Sequence, residues 1–310
     1  MTPTPPAPAA VAPAIPAAVA PTTRAAPAAP ATSTSPASAP NREVTPIAPW
    51  ATAGVRATAR VVAARRGPVT SLPILDGDGP FELRRLRSRG DEARVCVVGA
   101  MSAPLGGDRL CVEATARRGA ALHVTSAAAT LALRGPTSEH ATYDIRLTAE
   151  DDSELHWLPE PLICAAGSDL RQSWTVDLAP TARLLLREEQ VLGRTGEPTG
   201  HVTTRLTVRR GSHTLLDQSA DYGPGAPGWD GPAVLDGHRA VGQLLAVDPV
   251  YERYPANVRL LGGGPDEGHA AVTPLAGPGV LVTAVAPDGL RLRDLLDAAQ
   301  TTLLQPPPPH

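Results

Sequence analysis

From Ala51 onward the chain alternates between apolar and polar positions. Phe81, Leu83 and Leu86 lie among Glu82, Arg84, Arg85 and Arg87; Leu110, Val112 and Ala114 alternate with Cys111, Glu113 and Thr115. Tyr143, Ile145 and Leu147 alternate with Asp144, Arg146 and Thr148, and Val202, Leu206 and Val208 stand among Thr203, Thr204, Arg205, Thr207 and Arg209. A period of two sends side chains to opposite faces of a pleated strand, so these runs predict half-buried strands. Turn clusters separate them: Asp76-Gly77-Asp78-Gly79, Arg118-Gly119, Glu150-Asp151-Asp152-Ser153 and Arg210-Gly211-Ser212. Short strands at regular spacing predict an all-β body, and residues 80 to 220 offer hardly any helical segment from which to build βαβ units.

Helical spacing enters late. Asp288 is placed as an N-cap, and Leu292, Leu295, Leu296 and Ala299 form one apolar stripe behind it. A second short helix is predicted around Arg239 to Leu245. The expectation is a mainly β fold with about two α-helices near the C-terminus.

Composition divides the chain. Residues 1–48 are almost entirely Pro, Ala, Ser and Thr, too poor in apolar bulk to offset the entropy of ordering, and predict a disordered, partly polyproline tail. Residues 49–305 predict a single β domain, and the segment 306–310 a second frayed tail. The net charge of −3 lacks the basic excess of a nucleic-acid binder. All 28 basic side chains are arginine. No apolar run approaches the ~20 residues of a spanning helix, and the proline-broken start does not read as an export signal, so a cytoplasmic location is expected. Cys96, Cys111 and Cys164 are too few and too scattered for a disulfide framework.

The candidate chemistry is sparse. Leu105-Gly106-Gly107-Asp108 looks like a phosphate loop but lacks its Gly-Lys-Ser/Thr end, and the sequence contains no lysine; a tight turn with φ > 0 at glycine is the simpler expectation. The eight histidines, His123, His140, His156, His201, His213, His238, His269 and His310, show no metal-ligand spacing. His123 reads as an ordinary strand histidine. His156 is an imidazole that suits nickel, or simply a packed side chain beside Trp157. Glu188-Glu189 and Asp151-Asp152 are paired carboxylates that read as turn or face charges. No Gly-x-Ser-x-Gly elbow occurs.

Several motifs in order resemble the urease accessory protein family UreD, also called UreH. They are Gly79-Pro80-Phe81-Glu82-Leu83-Arg84-Arg85-Leu86, the turn Gly106-Gly107-Asp108, Gly119-Ala120, and the strand Val124-Thr125-Ser126-Ala127-Ala128-Ala129-Thr130. Leu155-His156-Trp157-Leu158-Pro159-Glu160-Pro161 and Glu189-Gln190-Val191-Leu192-Gly193-Arg194 follow. The chain departs from the family pattern at Ala127 (usually Gln), Leu131 (usually Lys) and His156 (usually Glu).

The resemblance implies a β-helix-like stack of short strands without catalytic residues. It implies a maturation chaperone that loads nickel into urease, acting as a scaffold with UreF and the GTPase UreG on urease apoprotein. Nickel would be cargo in transit and no cofactor would be bound permanently. The residues it marks as structural or partner-contacting are Gly106, Gly107, Asp108, Thr125, Thr130, Trp157, Pro159, Pro161, Glu189, Gly193 and Arg194. Thr125, Ser126 and Glu189 on inward strand faces would line an ion route. The alternatives are a β-rich ligand-binding module and a metal-dependent hydrolase using His156.

Overall fold

A computed structural model describes residues 54–264 and 266–303; the tails expected at 1–48 and 306–310 lie outside the described residues. In chain order the strands begin with β1 (Arg56–Arg66), β2 (Val69–Asp76), β3 (Phe81–Leu86) and β4 (Ala93–Gly99). There follow β5 (Arg109–Ala116), β6 (Ala121–Ser126), β7 (Thr130–Ala132), β8 (Ala141–Ala149) and β9 (Glu154–Leu158). Next are β10 (Leu162–Cys164), β11 (Asp169–Leu178), β12 (Arg183–Leu192), β13 (His201–Arg210) and β14 (His213–Tyr222). The last are β15 (Ala240–Val247), β16 (Arg259–Gly262), β17 (His269–Pro274) and β18 (Gly279–Ala286), before helix α1 (Gly289–Leu303).

These strands make two sheets. One runs β14-β13-β11-β8-β5-β1-β2; the other runs β16-β17-β18-β15-β12-β9-β6-β4-β3, with β10 and β7 alongside β12. From β5 to β13 the chain visits the sheets in turn, and each visit adds a parallel strand beside its predecessor. Leu110 pairs with Tyr143, Tyr143 with Gln172 and Gln172 with Thr204 in one sheet. His123 pairs with His156 and Leu155 with Leu184 in the other. The result is a flattened coil of strands, mainly β as expected. Antiparallel ribbons close both ends: β1–β2 and β3–β4 at one, β13–β14 and β15–β18–β17–β16 at the other.

The predicted alternation is what packs the core. Leu110, Val112, Ala114 and Ala116 of β5 are buried, while the residues between them are half-exposed. They meet Leu122, Val124, Leu155, Leu184 and Leu186 of the facing sheet in one apolar layer. The second helix expected around Arg239 to Leu245 is instead strand β15. It is buried on both faces: Leu245 and Val247 enter the inter-sheet core, while Ala240, Leu244 and Ala246 lie under α1. A strand covered on both sides loses the period-two signal and reads as a short apolar run that helix and strand share.

Helix α1 starts as predicted. Asp288 Oδ1 accepts a hydrogen bond from Arg291 N at 2.9 Å, satisfying one of the helix's free amides. Leu292, Leu295, Leu296 and Ala299 are its buried stripe. They cover the outer face of the larger sheet across β12, β15, β17 and β18.

Candidate functional site

Strand β12 carries a glutamate into the gap between the sheets. Glu188 is only 5% exposed and its carboxylate gathers four donors. Trp174 Nε1 (3.2 Å), Thr204 Oγ1 (3.0 Å) and Gln190 Nε2 (2.8 Å) donate to Oε1, and Gln243 Nε2 (2.5 Å) donates to Oε2. Trp174 and Thr204 reach across from β11 and β13 of the smaller sheet; Gln190 and Gln243 flank Glu188 on β12 and β15. Burial pushes the Glu188 carboxyl above its usual value, and the hydrogen bonds, led by Gln243, pull against it. The Glu188-Glu189 pair is therefore no turn or solvated face.

Glu189 points the other way, as strand alternation requires. It lies under α1, 2.7 Å from Arg187 Nε and 3.5 Å from Arg293 Nη2. Arg187 continues to Asp297 Oδ1 at 2.5 Å, and Arg293 to Glu160 Oε2 at 2.8 Å. The larger sheet is open beside these two carboxylates. β9 pairs with β12 as far as Trp157↔Leu186, and β10 resumes only at Leu162↔Gln190. Pro159-Glu160-Pro161 runs between them, and neither proline has an N–H to give to a ladder. Glu160 N donates instead to Ser126 Oγ (2.8 Å), and the Pro161 carbonyl accepts from Thr130 N (2.9 Å). The Pro-x-Pro element thus holds the opening.

Three cavities share walls along this line. The first, about 480 Å³, is floored by Glu188, Gln190, Thr204 and Gln243 and reaches solvent past Val234 and Leu260. The second, about 30 Å³, lies at the opening, between Trp157, Trp174, Gln172, Glu188 and Glu189. The third, about 300 Å³, shares Thr130, Tyr143, Trp157 and Pro159 with the second and reaches solvent at Met101. Trp157 Nε1, Gln172 Oε1 and Gln190 Oε1 are buried along it without a protein hydrogen-bond partner, an arrangement that buried polar atoms rarely tolerate without water or an ion. Trp157 and Trp174 meet edge to face, with centroids 6.3 Å apart, and are too buried to serve as a sugar platform.

The structure brings five of the marked residues together. Thr125, Thr130, Trp157, Pro159 and Glu189 all line the second or third cavity. Glu189 does so from the helix-covered face; the inward carboxylate is Glu188, which from sequence reads only as a turn or face charge. Ala127 and Leu131 stand in the third cavity's wall, so that end is less polar than the family pattern implies. Gln172, Trp174, Gln190, Thr204 and Gln243 were also missed. The one local signal was Glu188 and Gln190 at i, i+2 on a face of β12 otherwise made of Leu184, Leu186 and Leu192.

Pro161 stands at the opening itself, bonded through its carbonyl to Thr130 N, while Gly106, Gly107, Asp108, Gly193 and Arg194 lie in turns elsewhere. Gly107 has φ 95°, which glycine adopts at no steric cost. Buried Asp108 then accepts from Val55 N (2.8 Å) and Leu105 N (2.7 Å), tying the start of β1 to the turn before β5. Gly193 has φ 89°, and a Cβ there would lie 2.3 Å from the Arg239 guanidinium. Arg194 is held by Glu197 through Nε and Nη2, both at 2.8 Å. Its partner's carboxyl is lowered to about 2 by that pairing.

His156 has company. On the outer face of the larger sheet its ring stacks on that of His123, with centroids 4.1 Å apart and planes 15° from parallel. Glu154 Oε1 lies 3.3 Å from His123 Nε2 and 3.1 Å from His156 Nε2. The hydrogen bonds from His123 and then His156 hold the Glu154 carboxyl well below the usual carboxylate range. Sequence spacing could not reveal this triad, because parallel register, not chain proximity, puts His123 beside His156.

Residues 55–309 match the family model described as UreD urease accessory protein. Urease accessory protein UreD of Streptomyces coelicolor is 60% identical over 252 residues, covering 81% of this chain and 97% of that protein. Urease accessory protein UreD of Streptomyces avermitilis is 58% identical over 253 residues, covering 81% and 98%. Urease accessory protein UreD 2 of Saccharopolyspora erythraea is 58% identical over 251 residues, covering 81% and 89%. The family match over residues 55–309, together with these relatives, places this chain in the UreD family of urease accessory proteins.

Proposed function

We propose that the chain is a non-catalytic maturation scaffold that carries nickel through its own body towards the urease active site. In this reading it works in the cytoplasm within an assembly of UreF-type and UreG-type proteins on urease apoprotein, and nickel is its cargo. The observation that carries it is the file of three cavities sharing walls, open to solvent at both ends and narrowest between Glu188 and Glu189. The narrow part holds about one water's share of volume, so a passing ion sheds hydration there and needs oxygen ligands in its place. Glu188, Gln172 and Glu189 offer them, and oxygen and imidazole donors suit nickel. Membership of a family of urease accessory proteins supports a role exercised on another protein.

The test is urease activation with nickel and bicarbonate, using partners co-purified with this chain or with its Gln172→Leu and Glu188→Leu variants. The expected result is that all forms assemble alike while urease from the variant assemblies holds less nickel. Full nickel content with both variants would remove the passage. Turnover of a substrate by the purified chain alone would remove the non-catalytic role.

A further inference from the structure

We propose that His123, Glu154 and His156 form a binding site for one first-row divalent transition cation on the exposed face of the larger sheet. Each residue is half-buried, with side chains 28%, 32% and 20% exposed. Among the described residues no other three His, Cys, Asp or Glu side chains bring ligand atoms within 4.8 Å of one another.

The spacing fits an ion once the stacked rings turn out of parallel to aim both lone pairs at it. Two ligand atoms about 2.1 Å from one tetrahedral metal lie about 3.4 Å from each other, and about 3.0 Å in an octahedral one. Both imidazole Nε2 atoms already stand at 3.3 and 3.1 Å from Glu154 Oε1. The ligands are fixed by backbone. His123 and His156 face each other in the β6–β9 register, and Glu154 lies two residues before His156 on the same face. No loop must close to assemble them.

The donor set, two imidazoles and a carboxylate, selects nickel, zinc, cobalt or copper over magnesium and calcium, which prefer all-oxygen shells. Three protein ligands leave coordination positions open to solvent, so the ion exchanges and is not locked in as in a four-ligand structural site. The surroundings are mixed. Arg183 Nη1 lies 3.7 Å from Glu154 Oε2 and competes for it, while Asp248 draws the same guanidinium away at 3.8 Å.

This site stands apart from the proposed passage. Its side chains project from the face opposite Leu122, Val124, Leu155 and Trp157, which pack inward, and it requires no nickel transit. Calorimetric titration of the full chain with Ni²⁺, and separately with Zn²⁺, tests it. The expected result is saturation at one ion per chain for at least one of the two. His123→Gln, His156→Gln and Glu154→Gln should each weaken binding by at least the about tenfold that losing even an outer-shell partner costs. His213→Gln, exposed on β14 away from both the site and the passage, should bind as the native chain does. A Co²⁺-loaded native sample should show the visible absorption of imidazole-ligated cobalt, and this reading stands even if a variant misfolds. No saturable binding, unchanged affinity in all three variants, or cobalt without imidazole ligands would overturn the site.

Discussion

At the residue scale, Glu188 has the sharpest consequence. Its carboxyl is raised above the ordinary 4.5 by burial, so the folded state holds that proton more tightly than the unfolded chain. Such a group stabilises the fold below the ordinary value, and the contribution is lost as pH rises through the raised folded value. The native chain should therefore lose melting temperature relative to Glu188→Gln as pH increases from about 4.5. Parallel melts of the two across pH 4.5 to 8 check this; a difference that stays flat or grows in favour of the native chain contradicts it. Cys164 gives a second prediction. Burial pushes its thiol up to about 12, and the thiolate is the reactive form. A thiol reagent at pH 8 should leave Cys164 unlabelled in the folded protein while the partly exposed Cys96 reacts, as mass spectrometry of the digested product would record. What the sequence disclosed at this scale was local: Gly107 as a turn glycine, Asp288 as a cap. What it concealed was contact across the coil. Glu188 receives Thr204 from another sheet, and His123 receives His156 from the next coil.

At the element scale, alternation disclosed β3, β5, β8 and β13, but not β1, β9 or β11, which also have one wet face. β5 and β8 follow it closely. It failed at β15, where α1 covers the second face, and at β12, where Arg187, Glu188 and Glu189 are all buried in spite of their charge. Helix α1 was legible from its cap and stripe because both signals lie within a few residues. It also forms the roof over Glu189 and Arg187, so its packing matters to the proposed passage. Leu296 is fully buried against the sheet, and Leu296→Ala should cost about 2–5 kcal/mol by leaving a cavity. Denaturant unfolding measures that loss. A cost under about 1 kcal/mol would mean that the helix is loosely docked.

At the scale of the whole molecule, the mainly β class was legible in the strands, and the stacked coil came only through the family resemblance, which implied it. Its successive turns share hydrogen-bond register and not sequence, so no fixed-period repeat announces them. Five of the marked positions converge on two adjoining cavities because Pro159 and Pro161 part β9 from β10 beside β12. Restoring an N–H there should narrow that parting. Pro161→Ala is expected to leave the fold intact and to increase hydrogen-exchange protection at residues 187–190, and unchanged protection would show that the prolines do not maintain it.

A stack of parallel strands has no inherent reason to end, since each layer is a template for another. This one is blunted at all four rims. Pro73 interrupts β2 beside a register shift, Arg84 and Arg85 charge β3, β16 spans only Arg259–Gly262, and β14 presents Asp217 and Asp221. Proline, charge and brevity are the devices by which a rim refuses a further strand. Growth into a fibre is thereby checked by the outermost ribbons, and the coil can keep a fixed number of layers.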